Sequence, residues 1–486
     1  MNKKVSSFII YDYETFGINT ALDRPAQFAC IHTDENFIQI SEPKIYYCKF
    51  SNDYIPKIES VIINGITPQK VLYSGLIESE FSIKIYKLFN ISNTCIIGFN
   101  NINFDDEFTR NLFYRNFYNS YYWNCSNGNA RLDVINIVYA CYILRPNGIN
   151  WPINNRGVTS FKLKDLSIFN DIKHNNAHDA LSDVYATLSL IKFIRNIKPN
   201  LFNYFYNYRF KYKLKSLINF NKPLIYISSV FGIKNNNIGI ILPIIWHPYN
   251  KNILIVCNLI DKVEILKHLD INILKKKFYN NNCLLNNKII NPLYFLHINK
   301  FPIITPLKFL RNKDILRLNI DINLCFKNLN WLMNYKNLKN KILNIFSKKF
   351  LFKYGNNVDS QLYKNFFNKN DNFFIKKISK LSPKKLILSN FNFKDSRLKF
   401  LFFRYYSRNF PFILNNYQQL FWLKYCKKIS TKLFYEFYII NLKFLYILYI
   451  NNNYKKYLLR SLFNYVNFLF FKLYYEDKGK IIDLLS

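Results

Sequence analysis

Two carboxylates separated by one tyrosine end an apolar run near the start of the chain. Residues 8–17 read FIIYDYETFG, and side chains two positions apart on a strand project from the same face. Asp12 and Glu14 are therefore predicted to share one face, with Tyr11 and Tyr13 packed on the other. Adjacent carboxylates repel each other unless a cation lies between them, and a divalent metal ion suits oxygen ligands. The D-x-E spacing alone fits an exposed pair at a strand end equally well.

A further acidic cluster follows the next buried strand that the pattern predicts. Residues 94–99 (TCIIGF) predict this strand, and Asp105, Asp106 and Glu107 come after it at the start of a predicted helix. Acidic residues complement the dipole at a helix N-terminus, so helix stabilisation explains the triplet. Delivery of a third metal ligand by Asp105 to the sheet edge is the alternative explanation. Arg110, about one turn further on, could bind a phosphate near the metal or pair with Asp106.

A histidine and an aspartate complete the candidate catalytic set. Residues 180–194 have helical spacing, His178 lies just before this predicted helix, and Asp183 lies one turn inside it. We expect the helix to hold Asp183 in place as a metal ligand. His178, on a loop that can move with a substrate, suits a proton acceptor. A histidine five residues before an aspartate, after two acidic strand ends, favours a metal-dependent hydrolytic site.

Apolar runs and turn signals predict the elements that position these residues. Residues 27–32 and 38–50 are predicted strands beside the first, and Thr67 with Pro68 marks a helix start. A second set of short strands is predicted at residues 224–230, 238–245, 253–259 and 293–297. Helical spacing dominates from residue 314, and we expect most aromatic residues beyond residue 401 to fill a core. The length of 486 residues allows two to four domains.

The charge of the chain is unevenly distributed. The net charge is +38, yet residues 1–200 carry 20 Lys and Arg against 18 Asp and Glu, a balance of +2. The remaining residues carry 48 basic against 12 acidic side chains, a balance of +36. Such an excess favours a polyanionic partner, most often nucleic acid. Codon usage is the competing explanation, because Lys, Asn, Ile, Phe and Tyr all have A/T-rich codons.

Composition also argues against a membrane or secreted protein. The chain contains no uninterrupted stretch of about 20 apolar residues, and residues 433–450, interrupted by Glu436, Asn441 and Lys443, are predicted to form a core helix. The first seven residues lack the apolar centre of a secretion signal, which favours the cytoplasm. The nine cysteines are scattered without a C-x-x-C pair, so we expect reduced, mostly buried thiols and no zinc site.

Together these motifs resemble a known nuclease family. D-x-E at Asp12 and Glu14, the aspartate at Asp105, and H-x4-D at His178 and Asp183 are similar to the histidine-bearing branch of the DEDD 3′→5′ exonucleases. Longer segments resemble bacterial exonuclease I: DYETFG (12–17), ALDRPAQFA (21–29), GITPQ (65–69), NFDDEFTRN (103–111), RPNGINWP (145–152), NAHDALSDVYAT (176–187), HINK (297–300), NVDSQLY (357–363) and RNFP (408–411). The resemblance is strong to about residue 198 and less continuous beyond it.

This resemblance implies a fold with three parts. It implies an α/β ribonuclease-H-like exonuclease domain at residues 1–198, an SH3-like α+β domain at 199–352 and an all-α C-terminal domain at 353–486. Together these would form a groove for single-stranded DNA. The implied protein partner is the acidic tail of a single-stranded-DNA-binding protein, and the implied state is a monomer with no membrane contact.

The resemblance also implies the chemistry and the substrate contacts. Two Mg²⁺ ions, for which Mn²⁺ can substitute, would be held about 4 Å apart by Asp12, Glu14, Asp105 and Asp183. One ion would orient a water molecule, the other would stabilise the leaving 3′ oxygen, and His178 would accept the proton of the water. The implied substrate contacts are Glu14, Arg110, Tyr121, Cys125, Tyr139 and Lys162.

This chain departs from the family pattern at three of these contacts. The family pattern has arginine at the positions of Lys162 and Tyr139 and tryptophan at that of Cys125. Lys162 keeps the charge but not the two-pronged hydrogen bonding of arginine. Three alternatives remain open from the residues: an RNA 3′-end exonuclease, a catalytically impaired strand-binding protein, and a membrane-surface role for the basic part of the chain.

Overall fold

The D-x-E strand is the central strand of a mixed five-stranded sheet. The computed structural model describes residues 7–174, 176–232, 235–279, 291–346 and 355–475. The strands of this sheet are β1 (Ser7–Thr15), β2 (Pro25–Thr33), β3 (Lys44–Tyr47), β4 (Thr94–Gly98) and β5 (Ala130–Asp133). Their order is β3-β2-β1-β4-β5. β1 runs antiparallel to β2 and parallel to β4, so both of its edges are hydrogen-bonded.

The predicted strand at residues 38–50 is shorter than expected. Only Lys44–Tyr47 forms a strand, β3, beside β2. Ile38 and Ile40 are 61% and 53% exposed, so the apolar pattern before β3 does not mark a buried face. Pro43, just before β3, has no backbone N–H for a sheet hydrogen bond. The apolar pattern therefore overestimated the length of the strand.

Helices connect the strands of this sheet along the chain and follow its last strand. They are α1 (Ile58–Asn64), α2 (Pro68–Ser74), α3 (Glu78–Phe89), α4 (Asp105–Arg115), α5 (Val134–Leu144), α6 (Leu163–Phe169), α7 (Ala180–Ile197), α8 (Pro199–Asn207) and α9 (Lys211–Ser216). The predicted start of α2 is confirmed, because the Thr67 side chain accepts a hydrogen bond from the backbone N–H of Lys70 at 3.2 Å. Pro68 occupies the first turn, where its missing N–H carries no penalty.

A second five-stranded sheet contains only antiparallel pairs. Its strands are β6 (Leu224–Ile227), β7 (Ile238–Trp246), β8 (Ile253–Asn258), β9 (Leu293–His297) and β10 (Ile303–Pro306), in the order β10-β6-β7-β8-β9. Helices α10 (Ile265–His268), α11 (Ile271–Tyr279), α12 (Asn312–Arg317), α13 (Ile322–Asn334) and α14 (Leu338–Ile345) accompany it. The four predicted runs all form strands, whereas β10, which has four residues and ends in proline, was not predicted.

The last described part of the chain is helical, as predicted. Its helices are α15 (Lys369–Ile378), α16 (Pro383–Leu388), α17 (Ser396–Asn409), α18 (Asn416–Ile429), α19 (Lys432–Leu448) and α20 (Asn453–Tyr474). The expectation that α19 is a core helix was only half right. Tyr435, Tyr438 and Leu442 are buried, but the opposite face exposes Phe437 and Phe444 by 59% and 65%. Many aromatic residues of this part of the chain are therefore on the surface.

The chain divides into two compact units that do not follow sequence order. One contains the described residues of Met1–Ala130, His174–Leu188 and Lys353–Ser486. The other contains those of Arg131–Lys173 and Ser189–Phe352. The first unit therefore joins the beginning and the end of the chain.

Buried ion pairs hold these distant segments of the first unit together. Asp359, in the NVDSQLY motif, lies 2.5 Å from Arg408, in the RNFP motif, and 3.3 Å from Arg404. Arg408 also lies 2.8 Å from Asp53, near the start of the chain. Arg24, in the ALDRPAQFA motif, lies 3.9 Å from Asp359. Three motifs that carry no catalytic residue thus meet in one charged network, whose side chains are at most 12% exposed.

Glu78 belongs to the same network. Its carboxylate lies 3.1 Å from Arg115 and 3.5 Å from Arg24. Burial alone would raise the pKa of Glu78, but the guanidinium groups of Arg115, Arg24 and Arg408 lower the pKa to about 2. The carboxylate is therefore charged at neutral pH despite being buried.

Neither the helices nor the thiols in the described ranges indicate membrane insertion or disulfide formation. None of those helices has the length and apolar character needed to traverse a lipid bilayer. All eight cysteines in the described ranges are free thiols, and every one except Cys125 is buried. The ninth, Cys283, lies outside the described residues.

Candidate active site

Strand β1 separates its carboxylates from its tyrosines, as the alternation predicted. Tyr11 and Tyr13 are 1% and 5% exposed and pack in an apolar cluster on one side of the sheet. Asp12 and Glu14 project to the other side. Glu14 is buried and Asp12 is half-buried. Because Asp12 and Glu14 both lie where β1 is paired with β2, the backbone that carries the two carboxylates is held in place.

The first two acidic residues of α4 have different environments. Asp106 is fully buried and accepts hydrogen bonds from the Tyr11 hydroxyl at 2.6 Å and the Asn101 amide at 3.1 Å. These bonds attach the start of α4 to the sheet. Asp105 is buried and is close enough to Glu14 to raise the pKa of that carboxyl group. Asp106 is therefore structural, and Asp105 belongs with the acidic site.

The start of α7 brings two further groups to this site. Glu14, His178 and Asp183 each place a ligand atom within 4.8 Å of the others. His178 is exposed, and its backbone φ is +70°. This left-handed conformation costs a residue other than glycine free energy, and such costs are typical of functional sites. The structure thus brings together three of the residues that the sequence placed in the catalytic set.

Two hydrogen bonds fix the Asp183 carboxylate. His174 Nε2 and Asp183 Oδ1 lie 2.5 Å apart, and the His174 side chain is only 2% exposed. The backbone N–H of His178 also donates to the Asp183 carboxylate. The Asp183 carboxylate is therefore held by two hydrogen bonds from the segment that precedes α7.

The start of α7 is also attached to β2. The Gln27 amide donates to Asp179 Oδ2 at 3.4 Å and its carbonyl accepts from the backbone N–H of Ala180 at 3.3 Å. Asp179 in turn accepts from the backbone N–H of Ser182 at 3.1 Å, which stabilises the first turn of the helix. Gln27 thereby ties the segment around His178 to the sheet.

The site brings several carboxyl groups together in a partly buried position. Burial, and next the neighbouring carboxylates, raise the pKa of Glu14 to about 9. The same causes raise the pKa of Asp12 well above its ordinary value. The neighbours that contribute are Asp105, Asp179 and Asp183. A group of hard oxygen donors that repel one another in this way matches the preference of a divalent cation.

Arg110 lies beside the site in an arrangement that differs from the predicted alternative. Its guanidinium group pairs with Glu107 at 2.5 Å, one turn away on α4, and not with Asp106. The Tyr363 hydroxyl donates to Glu107 and accepts from Arg110 at 3.4 Å. The spacing did not indicate this because Asp106 is turned inward and because Tyr363 comes from a remote part of the chain. Burial alone would lower the pKa of Arg110, but Glu107, Tyr363 and Asp106 together raise it.

Aromatic rings adjoin Arg110. The Tyr121 ring centre lies 6.0 Å from its guanidinium carbon, 6.3 Å from the Tyr363 ring and 5.7 Å from the Phe366 ring. Tyr363 and Phe366 are 47% and 86% exposed. These rings have the exposed faces on which nucleic-acid bases stack.

Comparison of the chain with known proteins identifies relatives over most of its length. Family models match the chain in three successive segments, described as exonuclease (residues 9–191), exonuclease I SH3-like domain (209–348) and exonuclease I C-terminal domain (356–469). The chain is 40% identical over 465 residues to exodeoxyribonuclease I of Escherichia coli, covering 95% of this chain and 98% of the relative. It is 47% identical over 418 residues to exodeoxyribonuclease I of Buchnera aphidicola subsp. Acyrthosiphon pisum, covering 84% and 98%.

The chain belongs to the exonuclease I family. It is an exodeoxyribonuclease with the three-part fold that the sequence predicted, and both the resemblance and the fold class are confirmed. The exonuclease family is metal-dependent.

Solved structures of the family cover nearly the whole chain. E. coli exonuclease I in complex with a dA16 oligonucleotide matches with a TM-score of 0.92 at 40% identity, covering 96% of this chain and 100% of that one. A zinc-bound form of the E. coli complex with single-stranded DNA matches with a TM-score of 0.91 at 39% identity, with the same coverage. A structure of SSB and exonuclease I with an inhibitor matches with a TM-score of 0.90 at 39% identity, again with that coverage.

The remaining substrate contacts expected from the family occupy varied surroundings. Cys125 is exposed, and its thiol donates to the backbone carbonyl of Tyr121 at 3.3 Å. Tyr139, on α5, is half-buried with its ring 4.8 Å from that of Phe161. Lys162, just before α6, is exposed. A role for any of them in binding DNA stays a prediction.

Sequence reasoning missed three residues that support the site. His174, Asp179 and Gln27 hold Asp183 and the start of α7, but their spacing matches no catalytic motif. A signal was present for His174, a second histidine only four residues before His178. Gln27 gave none, because its contact spans 152 residues of sequence.

Proposed function

We propose that this exonuclease degrades single-stranded DNA from the 3′ end and releases 5′-mononucleotides, in DNA repair and recombination in the cytoplasm. The observation that carries the proposal is the convergence of Glu14, His178 and Asp183, whose ligand atoms lie within 4.8 Å of one another. Asp12 and Asp105 interact electrostatically with the carboxyl groups of this site. The complexes of E. coli exonuclease I with DNA oligonucleotides support single-stranded DNA as the substrate.

The acidic residues are proposed to hold two Mg²⁺ ions, with Mn²⁺ as a substitute. The proposed ligands are Asp12, Glu14, Asp105 and Asp183. Their oxygen-only donor set suits hard cations, and a bound cation would offset the repulsion that raises the pKa of Glu14. When bound, Mg²⁺ favours ionisation of a coordinated water and neutralises charge on the phosphodiester. The zinc-bound form of the E. coli exonuclease I complex with single-stranded DNA supports the binding of a metal ion.

His178 is proposed to accept the proton of the attacking water. Its ring is exposed, so it can reach a water molecule beside the carboxylates. Imidazole is the side chain most suited to accepting a proton near neutral pH. Its position on a loop before α7, in contrast to Asp183 inside the helix, allows the ring to adjust when a substrate arrives.

Six residues are proposed to contact the DNA strand. Arg110 would contact a phosphate, and Tyr121 would stack on a base. Glu14, Cys125, Tyr139 and Lys162 are proposed as the other contacts. The balance of +36 beyond residue 200 supports attraction of a polyanion over most of the chain length.

The proposed domains are 1–198 for the exonuclease, 199–352 for the SH3-like domain and 353–486 for the helical C-terminal domain. We propose that the protein acts as a monomer and that the acidic tail of a single-stranded-DNA-binding protein is a partner. The structure of a relative with SSB supports that partner.

Digestion of end-labelled nucleic acids tests the function. Full-length protein is mixed with 3′-labelled single-stranded DNA, duplex DNA or matched RNA, in Mg²⁺ or in EDTA. We expect mononucleotide release from single-stranded DNA in Mg²⁺ alone. A preference for RNA would mean that RNA, and not DNA, is the substrate. Tight binding of single-stranded DNA without digestion would indicate a strand-binding protein.

Substitutions test the ligand assignment in the same assay. Asp12→Ala or Asp183→Ala should abolish hydrolysis and leave binding of single-stranded DNA largely intact, because neither residue forms the basic surface. Glu80→Ala, at an exposed position on α3, is the matched control and should retain full activity. Substantial turnover by either aspartate variant would show that the residue is not an essential ligand.

A further inference from the structure

The imidazole of His174 is buried against the acidic site with only one of its nitrogens engaged. The side chain is 2% exposed, and Nε2 lies 2.5 Å from Asp183 Oδ1. The other ring nitrogen, Nδ1, is buried and has no hydrogen-bond partner among the described residues. Burying an unpaired polar atom costs free energy. An apolar side chain of similar size would fill the same space without that cost.

The single hydrogen bond of His174 limits where the Asp183 carboxylate can point. Asp183 lies in the first turn of α7, so its backbone is fixed, but its carboxylate can still rotate about the side-chain bonds. The backbone N–H of His178 donates one hydrogen bond to this carboxylate, and His174 Nε2 supplies the second. A carboxylate has about four acceptor positions. Two donors therefore set its rotation and leave acceptor positions for a cation.

Carboxylates that bind metals are commonly oriented by hydrogen bonds from residues that do not touch the metal, and removal of such a partner typically costs about 10–100-fold in metal affinity. We propose that His174 is a positioning residue that orients the Asp183 carboxylate for metal binding and so sets the affinity of the site for divalent cations. This inference rests on the proposed role of Asp183 as a metal ligand. His174 itself contacts Asp183 and is not proposed to contact the substrate.

Replacements that differ in their ability to donate test this role. His174→Gln places an amide N–H near the position of Nε2 and should preserve the bond to Asp183. His174→Leu fills the space without a donor. His174→Asn keeps a polar group, but its shorter amide overlaps Nδ1 and does not reach Asp183. His32→Leu, a substitution of a half-buried histidine on β2, is the matched control.

Calorimetric titration of the full-length, DNA-free protein with Mn²⁺ or Mg²⁺ gives the decisive measurement. We expect His174→Leu to weaken cation binding by about 10–100-fold and His174→Gln to bind within a few-fold of the wild type. Urea unfolding in EDTA should show that the leucine variant is no less stable than the wild type, because the bond is replaced by apolar contact. At saturating cation, turnover should return to within a few-fold of the wild-type rate. If the leucine variant fails to fold, His174→Asn should show the same loss of affinity.

Two results would overturn the proposal. Wild-type cation affinity in His174→Leu, or in His174→Asn where leucine prevents folding, would mean that the hydrogen bond does not position a ligand. A glutamine variant as weak as leucine, with both destabilised in EDTA, would mean that the imidazole serves packing alone. Asp183→Asn distinguishes a failure of the proposed ligand assignment from a failure of the His174 role alone. If Asp183→Asn binds cations as the wild type does, both the proposed ligand assignment and the His174 role fail. If Asp183→Asn loses cation binding while His174→Leu retains it, only the His174 role fails.

Discussion

Glu14→Gln should stabilise the metal-free protein while it removes activity. The substitution keeps the size and shape of the side chain but removes its charge. In the metal-free site, burial and the neighbouring carboxylates raise the pKa of Glu14 from its ordinary value of 4.5 to about 9. The folded protein must therefore take up a proton at neutral pH that the unfolded chain does not bind, and a neutral glutamine avoids this requirement.

The size of the effect follows from that pKa. A group whose pKa is raised on folding contributes stability that is fully present below its unfolded pKa and is lost as the pH rises through its folded pKa. From pH 4.5 to pH 7 the wild type therefore loses about 3 kcal/mol through Glu14, at about 1.36 kcal/mol for each pH unit. The glutamine variant does not titrate there. Its stability advantage should be close to zero at pH 4.5 and about 3 kcal/mol at pH 7.

Urea unfolding in EDTA at the two pH values, followed by circular dichroism, measures this difference. Glu80→Gln, an exposed substitution on α3, should change stability by less than about 0.5 kcal/mol at either pH. Saturating Mg²⁺ should reduce or reverse the advantage of Glu14→Gln, because the cation stabilises the folded wild type. An advantage of equal size at both pH values, or a loss of stability at pH 7 in EDTA, would refute the reasoning.

Three further predictions concern the base and the buried charges. His178→Gln should lower turnover by about 10²–10⁴-fold with little change in calorimetric metal affinity, whereas a collapse of that affinity would make His178 a ligand. Asp359→Asn should lower the free energy of unfolding in urea at pH 7 by about 3–5 kcal/mol, because Arg408 and Arg404 lose their buried partner. A decrease of less than about 1 kcal/mol would contradict this prediction. Glu78 has its pKa lowered to about 2, so its contribution is present above the ordinary value of 4.5 and is lost as the pH falls through about 2. Glu78→Gln should therefore lose stability at pH 7 but show a smaller further loss than the wild type between pH 4.5 and pH 2, as measured by thermal unfolding.

Local patterns predicted the parts of the fold that depend on local chemistry. The alternation in β1 placed Asp12 and Glu14 correctly relative to the tyrosines because β-strand geometry has a period of two. The start of α2 followed from the side chain of Thr67 and the ring of Pro68. Both features are set by neighbours within three residues, so no knowledge of the tertiary fold was required.

The surface of the C-terminal helices could not be predicted in this way. Apolar and aromatic residues occupy both faces of α19, so their spacing no longer distinguishes a buried stripe from an exposed one. The expected burial failed for Phe437 and Phe444 for that reason. Position on a helix predicts burial only when the other face is polar.

The supporting residues of the site were missed for a different reason. The bond between His174 and Asp183 depends on the path of the loop before α7, and the contact between Tyr363 and Arg110 joins residues 253 apart. A sequence pattern records which residues are near along the chain. These contacts depend on which elements the fold brings together.

The buried charges that join the two ends of the chain affect when the enzyme can form during its synthesis. Arg24, Asp53 and Glu78 leave the ribosome early, but Asp359 and Arg408 follow only after several hundred more residues. At a synthesis rate of about 5–20 residues per second, the wait is about 15–75 seconds. Hydrogen bonds from Tyr438 to Pro56 and from Tyr465 to Tyr54 must wait still longer.

A nascent chain that ends before residue 359 already contains Asp12, Glu14, Asp105, His178 and Asp183. Arg24 already has Asp53 and Glu78 as partners in such a chain, each 3.5 Å away. The chain still lacks Asp359 and Arg408, which complete the ion pairing of Arg24 and Asp53 within the same unit. The catalytic sheet therefore gains its full stability only when nearly the whole polypeptide has been translated. Polypeptides released early by a nonsense mutation or a stalled ribosome should be readily degraded by cellular proteases and should not accumulate as active nucleases.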